Sequence, residues 1–538
     1  MKKKFLLQLF CIYLLMPAGA TAADFTYAYK DRTVTYTVVD EIEKTCSVKE
    51  NNYVTGQLVL PAHPLDGETE YTLIAIGDEA FKQCRKLTSV EIPFGVKSIG
   101  EDAFYDCAQL SSVSIPESMV SIGVNAFGDC FNLKKAEFAS LESLCKIDFS
   151  GDESNPLQRS FNLFINGEEI TEIVFPENLT EVKAYTFAGG NKLTSIKLHE
   201  GITSIGDGAF YCCSQIPYFD LPEGVEYIGA KAFYSCEALS SFIIPAGIKK
   251  IGDNTFQWCK NLISVSIPES VTELGEWCFH GCNKLQGIRL PEGLKGIDRG
   301  AFLSCSGLTS IDFPESLETI GESAFGNCYG LKSLSIPGKI SAIGNSAFSW
   351  CSGLTEVTIP GNVASIGEDA FYGCSGITSL ELNEGLLSIG DEAFRGCTGL
   401  TTLTLPKSVE SIGELCFNSC NNLKEVFNNS ETPVTTENPY NSYLVFGYEI
   451  YQNATLNVPE GTLEAYKAVS PWSEFKNIKE MESSGVEVIA AENADINYSE
   501  SYEVYDLTGK LIGGNIDSLH HGVYIVRQRD FVKKVIVK

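Results

Sequence analysis

The chain has 538 residues, 44% of them hydrophobic, and a net charge of −29 at neutral pH. That hydrophobic share excludes a wholly disordered chain. The acidic balance argues against a nucleic-acid binder, whose footprint is a basic patch, and against charge-driven adhesion to anionic membranes.

Met1-Lys2-Lys3-Lys4 precedes the apolar run Phe5 to Met16, and Ala20-Thr21-Ala22 supplies small residues. This is the pattern of a secretory leader over residues 1–22. About a dozen apolar residues are too few to span a bilayer, so an exported chain is expected. Residues 23–72 alternate as strands do, for example from Thr33 to Val39 and from Gln57 to Leu60. They are expected to form an N-terminal β cap, because the open end of a stack of coils exposes apolar surface and unpaired backbone.

From Leu73 one motif recurs. Cys305, Cys328, Cys351, Cys374, Cys397 and Cys420 each follow the last by 23 residues. Each has Phe three residues before it and Leu or Ile three after it. A fixed short period is the mark of a solenoid. Leu87-x-x-Val90-x-Ile92 reads as a strand with inward apolar residues in leucine-rich spacing, ended by Pro93. A second short extended piece ends at Ile99, and Gly100 bends the chain. Glu101-Asp102 is expected to open a helical turn that carries Phe104 inward, acidic residues suiting a helix N-terminus. Cys107 is small and apolar enough for a buried corner.

Repeats are assigned to residues 73–430, with an irregular longer unit at 136–184 and Gly190 in one Cys position. Residues 431–480 are expected to form a C-terminal cap, with a helix from Leu463 to Val469 and with Trp472 and Phe475 covering the last coil. Residues 481–538 alternate again around Tyr502–Asp506, Gly522–Arg527 and Lys533–Lys538. The expected fold is a leucine-rich-repeat solenoid of about 23-residue coils. It is mostly β with short helical turns, capped at both ends, and followed by a small antiparallel β-sandwich-like domain.

The unit Ile-Gly-x-x-Ala-Phe-x-x-Cys-x-x-Leu-x-x-Val-x-Ile-Pro resembles the BspA-like leucine-rich repeat of bacterial surface proteins. Val458-Pro459-x-Gly461, Tyr466-Lys467 and Trp472 resemble a closing unit of that family. The tail, through Val504-Tyr505-Asp506-Leu507-Thr508-Gly509-Lys510 and Gly522 to Val526, resembles the type IX secretion (Por) sorting domain. These resemblances imply an exported, cell-surface protein. They also imply adhesion to host extracellular proteins or glycans, or to another bacterial surface.

Stacked corners bring cysteines within disulfide range, but their side chains run parallel rather than toward one another. Buried free thiols are expected, with Cys212-Cys213 and Cys278/Cys282 as candidate local exceptions. An acidic column (Asp78, Glu101, Asp207, Asp253, Glu276, Asp391 and others) serves helix-end electrostatics or, alternatively, calcium. Aromatics just after the motif Phe are Tyr105, Tyr211, Tyr234, Trp258, His280, Trp350 and Tyr372. Tyr211, Tyr234, Trp258 and His280 fall in four consecutive coils and are expected to form an exposed ridge. The outward strand positions are mostly Ser and Thr, explained by inter-coil hydroxyl ladders and interrupted by Tyr218, Asp220, Ile243 and Arg289.

The candidate binding residues are therefore Tyr211, Tyr234, Trp258, His280, Tyr218, Asp220 and Arg289. Aromatics in such places are enriched at recognition hot spots; packing over neighbouring corners is the plainer reading of the ridge. The five histidines are scattered, and no nucleophile, phosphate-loop, dinucleotide or zinc motif occurs in the sequence. The expectation is a non-enzymatic binding protein without metal or cofactor. A structural spacer is the alternative, and an enzyme with its site in the 136–184 unit is the remote one.

Overall fold

The computed structural model describes residues 23–434, 445–481, 503–505, 511–513, 522–528 and 531–537. The expected leader and residues 506–510 of the tail lie outside the described residues. The chain divides into two units: Thr402–Lys407, Lys424–Thr435 and Tyr448–Lys538 make the second, and the remainder makes the first.

In the first unit the repeat produces two parallel ladders. Ser112–Ile115 pairs with Leu87–Glu91 on one side and Lys135–Phe138 on the other, Val113 opposite Val90 and Ala136. A 23-residue period sets each strand against the same positions of the next coil. Side chains alternate across a strand, so Val113 and Ile115 are buried while Ser112 and Ser114 face outward. The second ladder is shorter, Ser98–Ile99 pairing with Ser121–Ile122, and Ser365–Ile366 with Ser388–Ile389.

The third side of the coil is not the expected helical turn. It is a string of turns in which the residues two before and two after each Phe are left-handed. Asp102 and Asp106 (φ 53° and 55°) flank Phe104, and Ser346 and Trp350 (φ 53° and 61°) flank Phe348. An α-helix needs unbroken right-handed backbone, so none forms. Instead the amides of Asp102, Phe104 and Asp106 donate forward to the carbonyls of Val124, Ala126 and Gly128 in the next coil. Asp, Asn, Ser and Gly, which tolerate this conformation, recur at these positions.

The string holds the core in register. The motif phenylalanines are fully buried and stack ring on ring; Phe302 lies 5.3 Å from Phe279 and 5.1 Å from Phe325, with planes within 12°. From Cys107 onward each motif thiol donates to the carbonyl of the Phe 26 residues upstream, as Cys107 to Phe81 and Cys305 to Phe279, both 3.1 Å, while Cys84 donates to the Asn51 carbonyl. Cysteine thus supplies a small apolar body and a weak donor for a buried acceptor.

All described cysteines are free, including Cys212, Cys213, Cys278 and Cys282. Burial pushes Cys130, Cys305 and Cys420 up to about 12, so few thiolates exist at neutral pH. A thiol reagent should label the half-exposed Cys212 first and spare the buried thiols until denaturant is added. Fast native labelling of Cys305 or Cys328 would contradict this packing.

The acidic column does stack, but as amide caps rather than helix ends. Oδ1 of Asp78, Asp207, Asp253 and Asp391 accepts the amide N–H of Glu101, Ala230, Glu276 and Glu414, 23 residues on. The hydroxyl ladder also exists, one position earlier than expected. Ser111, Thr194, Thr309 and Thr378 donate to the backbone carbonyls of Thr88, Thr171, Gln286 and Thr355.

Before the coils, β1 (Asp24–Tyr29), β2 (Arg32–Asp40) and β3 (Thr45–Val48) pair antiparallel in series, and β3 pairs parallel with Thr72–Ile76. Phe25 stacks between Tyr36 and Tyr71 beneath them.

The irregular unit carries α1 (Leu141–Lys146), capped reciprocally by Ser140 and Ser143, and the single turn α2 (Leu157–Ser160). Its strands still join the ladders, Phe149 opposite Ile122 and Leu163 opposite Ala136. Those partners are 27 residues apart rather than 23, so the insertion is absorbed outside the ladders. Glu168–Ile170 then folds back antiparallel on Leu163–Ile165 and ends the sheet. Asn155, fully buried, ties this unit to the following coil. Its Nδ2 donates to the carbonyls of Tyr185 and Thr186, both 2.9 Å, and its Oδ1 accepts the Leu157 amide at 3.0 Å.

In the second unit, Thr402–Leu405, Glu425–Asn428, Thr455–Val458 and Asn477–Glu480 form a parallel sheet. Beside it stand α3 (Tyr448–Asn453) and α4 (Leu463–Ala468); α4 matches the expected helix. Tyr466 and Trp472 are fully buried, donating to the carbonyls of Ser430 (2.7 Å) and Val434 (2.8 Å). Glu503–Tyr505, Leu511–Gly513, Gly522–Gln528 and Phe531–Val537 make one antiparallel four-stranded sheet.

Candidate functional site

The candidate residues fall on two sides of the coil. Tyr211, Tyr234, Trp258 and His280 lie on the turn string. Tyr211 stacks on Tyr234 at 4.7 Å with planes 7° apart. Trp258 packs 4.5 Å from His280, which also lies 5.2 Å from Trp277. The ridge thus consists of two packed pairs, Tyr211–Tyr234 and Trp258–His280, and it is half-buried rather than exposed.

Packing explains the burial. Each large ring leans onto the next coil, and where it does so the chain supplies glycine 23 residues on. A Cβ at Gly128, Gly208, Gly281, Gly300 or Gly373 would collide with Tyr105, Tyr185, Trp258, Trp277 or Trp350 respectively. Burial raises the Tyr211 and Tyr234 hydroxyls and lowers His280. His280 Nδ1 accepts from Gln257 Nε2 at 2.9 Å.

Tyr218, Asp220 and Arg289 lie on the first-strand face and are exposed. There the ladder lapses between Ser195–Lys197 and Ser241–Ile243. Pro217 in the intervening coil has no amide to donate; its carbonyl still accepts the Ser240 amide at 3.1 Å, which sets the coil against its neighbour. Tyr218 is 65% exposed, Ile243 in the next coil 74% and Ile263 in the one after 46%. Ile243 is level with Ser266 and Ile263 lies outside that register, so these are staggered, exposed apolar residues on three successive coils of a largely polar face. Arg289 stands further along the same face, 3.1 Å from Glu269.

The sequence reading named Trp350 and Tyr372 as aromatics but did not group them with anything. In the structure they share a site. Trp350, 47% exposed, meets Tyr372 edge to face at 5.2 Å. Clefts of about 350 and 330 Å³ open beside the pair. The first is floored by Gly373, Gly396 and serines and edged by Arg395; the second is lined by Asp369 and Glu392. The available signal was two columns at the 23-residue period, Ser346/Asp369/Glu392 and Trp350/Gly373.

Among the described residues no group of three or more His, Cys, Asp or Glu is placed to hold a metal ion. No described helix is long and apolar enough to cross a membrane.

The family model of the BspA type leucine-rich repeat region matches residues 68–154, 159–253, 226–355 and 341–442, in six copies. No curated protein matches the chain. Among solved structures, a leucine-rich cell surface protein from Faecalibacterium prausnitzii A2-165 is 24% identical, covering 68% of this chain and 96% of its own, with a TM-score of 0.45. A leucine-rich repeat protein from Bacteroides ovatus ATCC 8483 is 25% identical, covering 85% and 100%, with a TM-score of 0.42. One from Eubacterium ventriosum ATCC 27560 is 20% identical, covering 63% and 97%, with a TM-score of 0.33. With the family model matching most of its length and the 23-residue coil realised in its backbone, the chain belongs to the BspA-type leucine-rich repeat family.

Proposed function

We propose that this protein is an exported, surface-located binding protein without catalytic activity. Its strand face recognises a host extracellular protein or glycan, or the surface of another bacterium. The observation that carries the reading is the exposure of Tyr218, Ile243 and Ile263, large apolar side chains on three successive coils of the strand face. A spacer has no use for large apolar side chains held out in solvent, and a rigid repeat array lets many weak contacts add. The leader pattern at 1–22 and the sorting-like tail at 481–538 support export and retention at the surface.

Residues 23–72 and 431–480 serve as caps in this reading. β1 to β3 turn the second ladder into antiparallel pairs. Fully buried Trp472 and Tyr466, in the unit that holds Thr402–Leu405 and Glu425–Asn428, support the C-terminal cap.

The test is binding of the full chain to an array of matrix proteins, glycans and bacterial cells, alongside the Tyr218→Ser/Ile243→Ser variant. Both side chains are exposed, so melting should move by less than about 1 kcal/mol. Binding should weaken about ten-fold or more if these are hot-spot residues. Binding that survives the double change would overturn the strand-face assignment. Absence of any partner would favour the spacer.

A further inference from the structure

We propose that the cluster around Trp350 is a recognition site for a cationic side chain, a lysine or arginine, presented by a protein partner. The inference rests on the reading of this chain as a binding protein, but places a contact on the turn side of the coil rather than the strand face. Three of the four tryptophans are half-buried or buried; Trp350 alone is exposed. Its ring lies flat over Gly373, where a side chain would collide with it, so one aromatic surface is held in place and the other faces solvent. Tyr372 meets it edge to face. The two clefts share these rings as a common wall.

The charges beside the rings are unequal. In one lobe Arg395 is already placed against Tyr372, 5.8 Å from the ring centroid, and paired with Glu392 at 2.8 Å. In the other lobe the Asp369 carboxylate has no hydrogen-bond or ion-pair partner among the described residues. It is half-buried between Glu392, Glu368 and Asp391, with Arg395 the opposing charge, and burial followed by these neighbours raises its pKa. A cation entering this lobe gains the face of Trp350, the carboxylate of Asp369 and relief of the repulsion among the acids. A neutral sugar would use the ring but not the charge, so the unpaired carboxylate favours the cation. The net charge of −29 draws basic partners toward the chain, and the cluster gives one of their side chains a defined seat.

The experiment titrates the full chain with a lysine-containing pentapeptide blocked at both ends, with the same peptide acetylated on its lysine, and with a neutral trisaccharide. Saturable binding of the lysine peptide is expected, about ten-fold weaker after acetylation. A similar loss is expected in Trp350→Ala and in Asp369→Asn. Asparagine keeps the shape and tolerates the left-handed backbone of Asp369 (φ 55°), so this variant reads the charge even if Trp350→Ala folds poorly. Glu315→Gln, which removes an exposed carboxylate elsewhere, should bind as the parent does. An equal loss in Glu315→Gln would overturn the site in favour of diffuse attraction. Trisaccharide binding that needs Trp350, with no lysine binding, would overturn the ligand class, and absence of all three would overturn the site. Tyr218→Ser/Ile243→Ser should leave lysine-peptide binding intact, so the two assignments fail separately.

Discussion

Replacing Asn155 with leucine should destabilise the protein by about 3 kcal/mol, because a single buried amide stitches the irregular unit to the coil after it. The change leaves the Leu157 amide and the Thr186 carbonyl without their partner and removes one of two donors from the Tyr185 carbonyl. Leucine is close in size, so the cost is one of unsatisfied polar groups rather than of a cavity. Asn155→Asp should do no better: it keeps the acceptor for Leu157 but sets a buried charge against two carbonyls. Denaturant unfolding measures both, with a lower midpoint and an unchanged slope as the expected signature. A shift below about 1 kcal/mol would mean that water replaces the amide and that the unit is less tightly joined than its geometry indicates.

Removing one ring from the phenylalanine stack should cost as much or more. Phe302→Ala opens a cavity in a fully buried column, for which about 3–5 kcal/mol is usual. It also breaks two stacked pairs at once. In a solenoid each coil is stabilised chiefly by its neighbours, so the damage should be local. Hydrogen exchange should quicken for the forward-donating amides of Phe279, Phe302 and Phe325, while those around Phe104 and Phe127 stay protected. Uniform loss of protection across the first unit would instead mean that the coils open together.

These two sites were not equally visible in the sequence. Phe302 belongs to a column printed at a fixed interval, and its burial follows from the period alone. Asn155 sits where the period fails; nothing local distinguishes it from a surface Asn beside a proline. Its role comes from the carbonyls of Tyr185 and Thr186, 30 and 31 residues later. The acidic column shows the same divide. Its stacking was legible, but its partner was misassigned, because a helix was expected where the backbone alternates into left-handed turns. Asp78 and Asp207 accept amides from the next coil, an interaction that exists only once the coils are stacked. The ridge from Tyr211 to His280 was also foreseen, yet as exposed. What buries it is the neighbouring coil, together with glycines such as Gly281 that let Trp258 lie down.

By itself the sequence determined the coil. A 23-residue period fixes which side chains stack, and alternation within each strand fixes which of them face inward, both being consequences of covalent geometry and hydrophobic burial. The tertiary structure decided everything that depends on distance between coils. It decided that the motif thiols from Cys107 onward donate to the Phe carbonyl of the coil before, that Asn155 is a joint, and that Tyr218 and Ile243 stand exposed on successive coils. It also decided that Trp350 keeps an open face beside an unpaired carboxylate. Such contacts join residues of different coils, and their chemistry is set by side-chain direction and burial, neither of which is written in any one repeat.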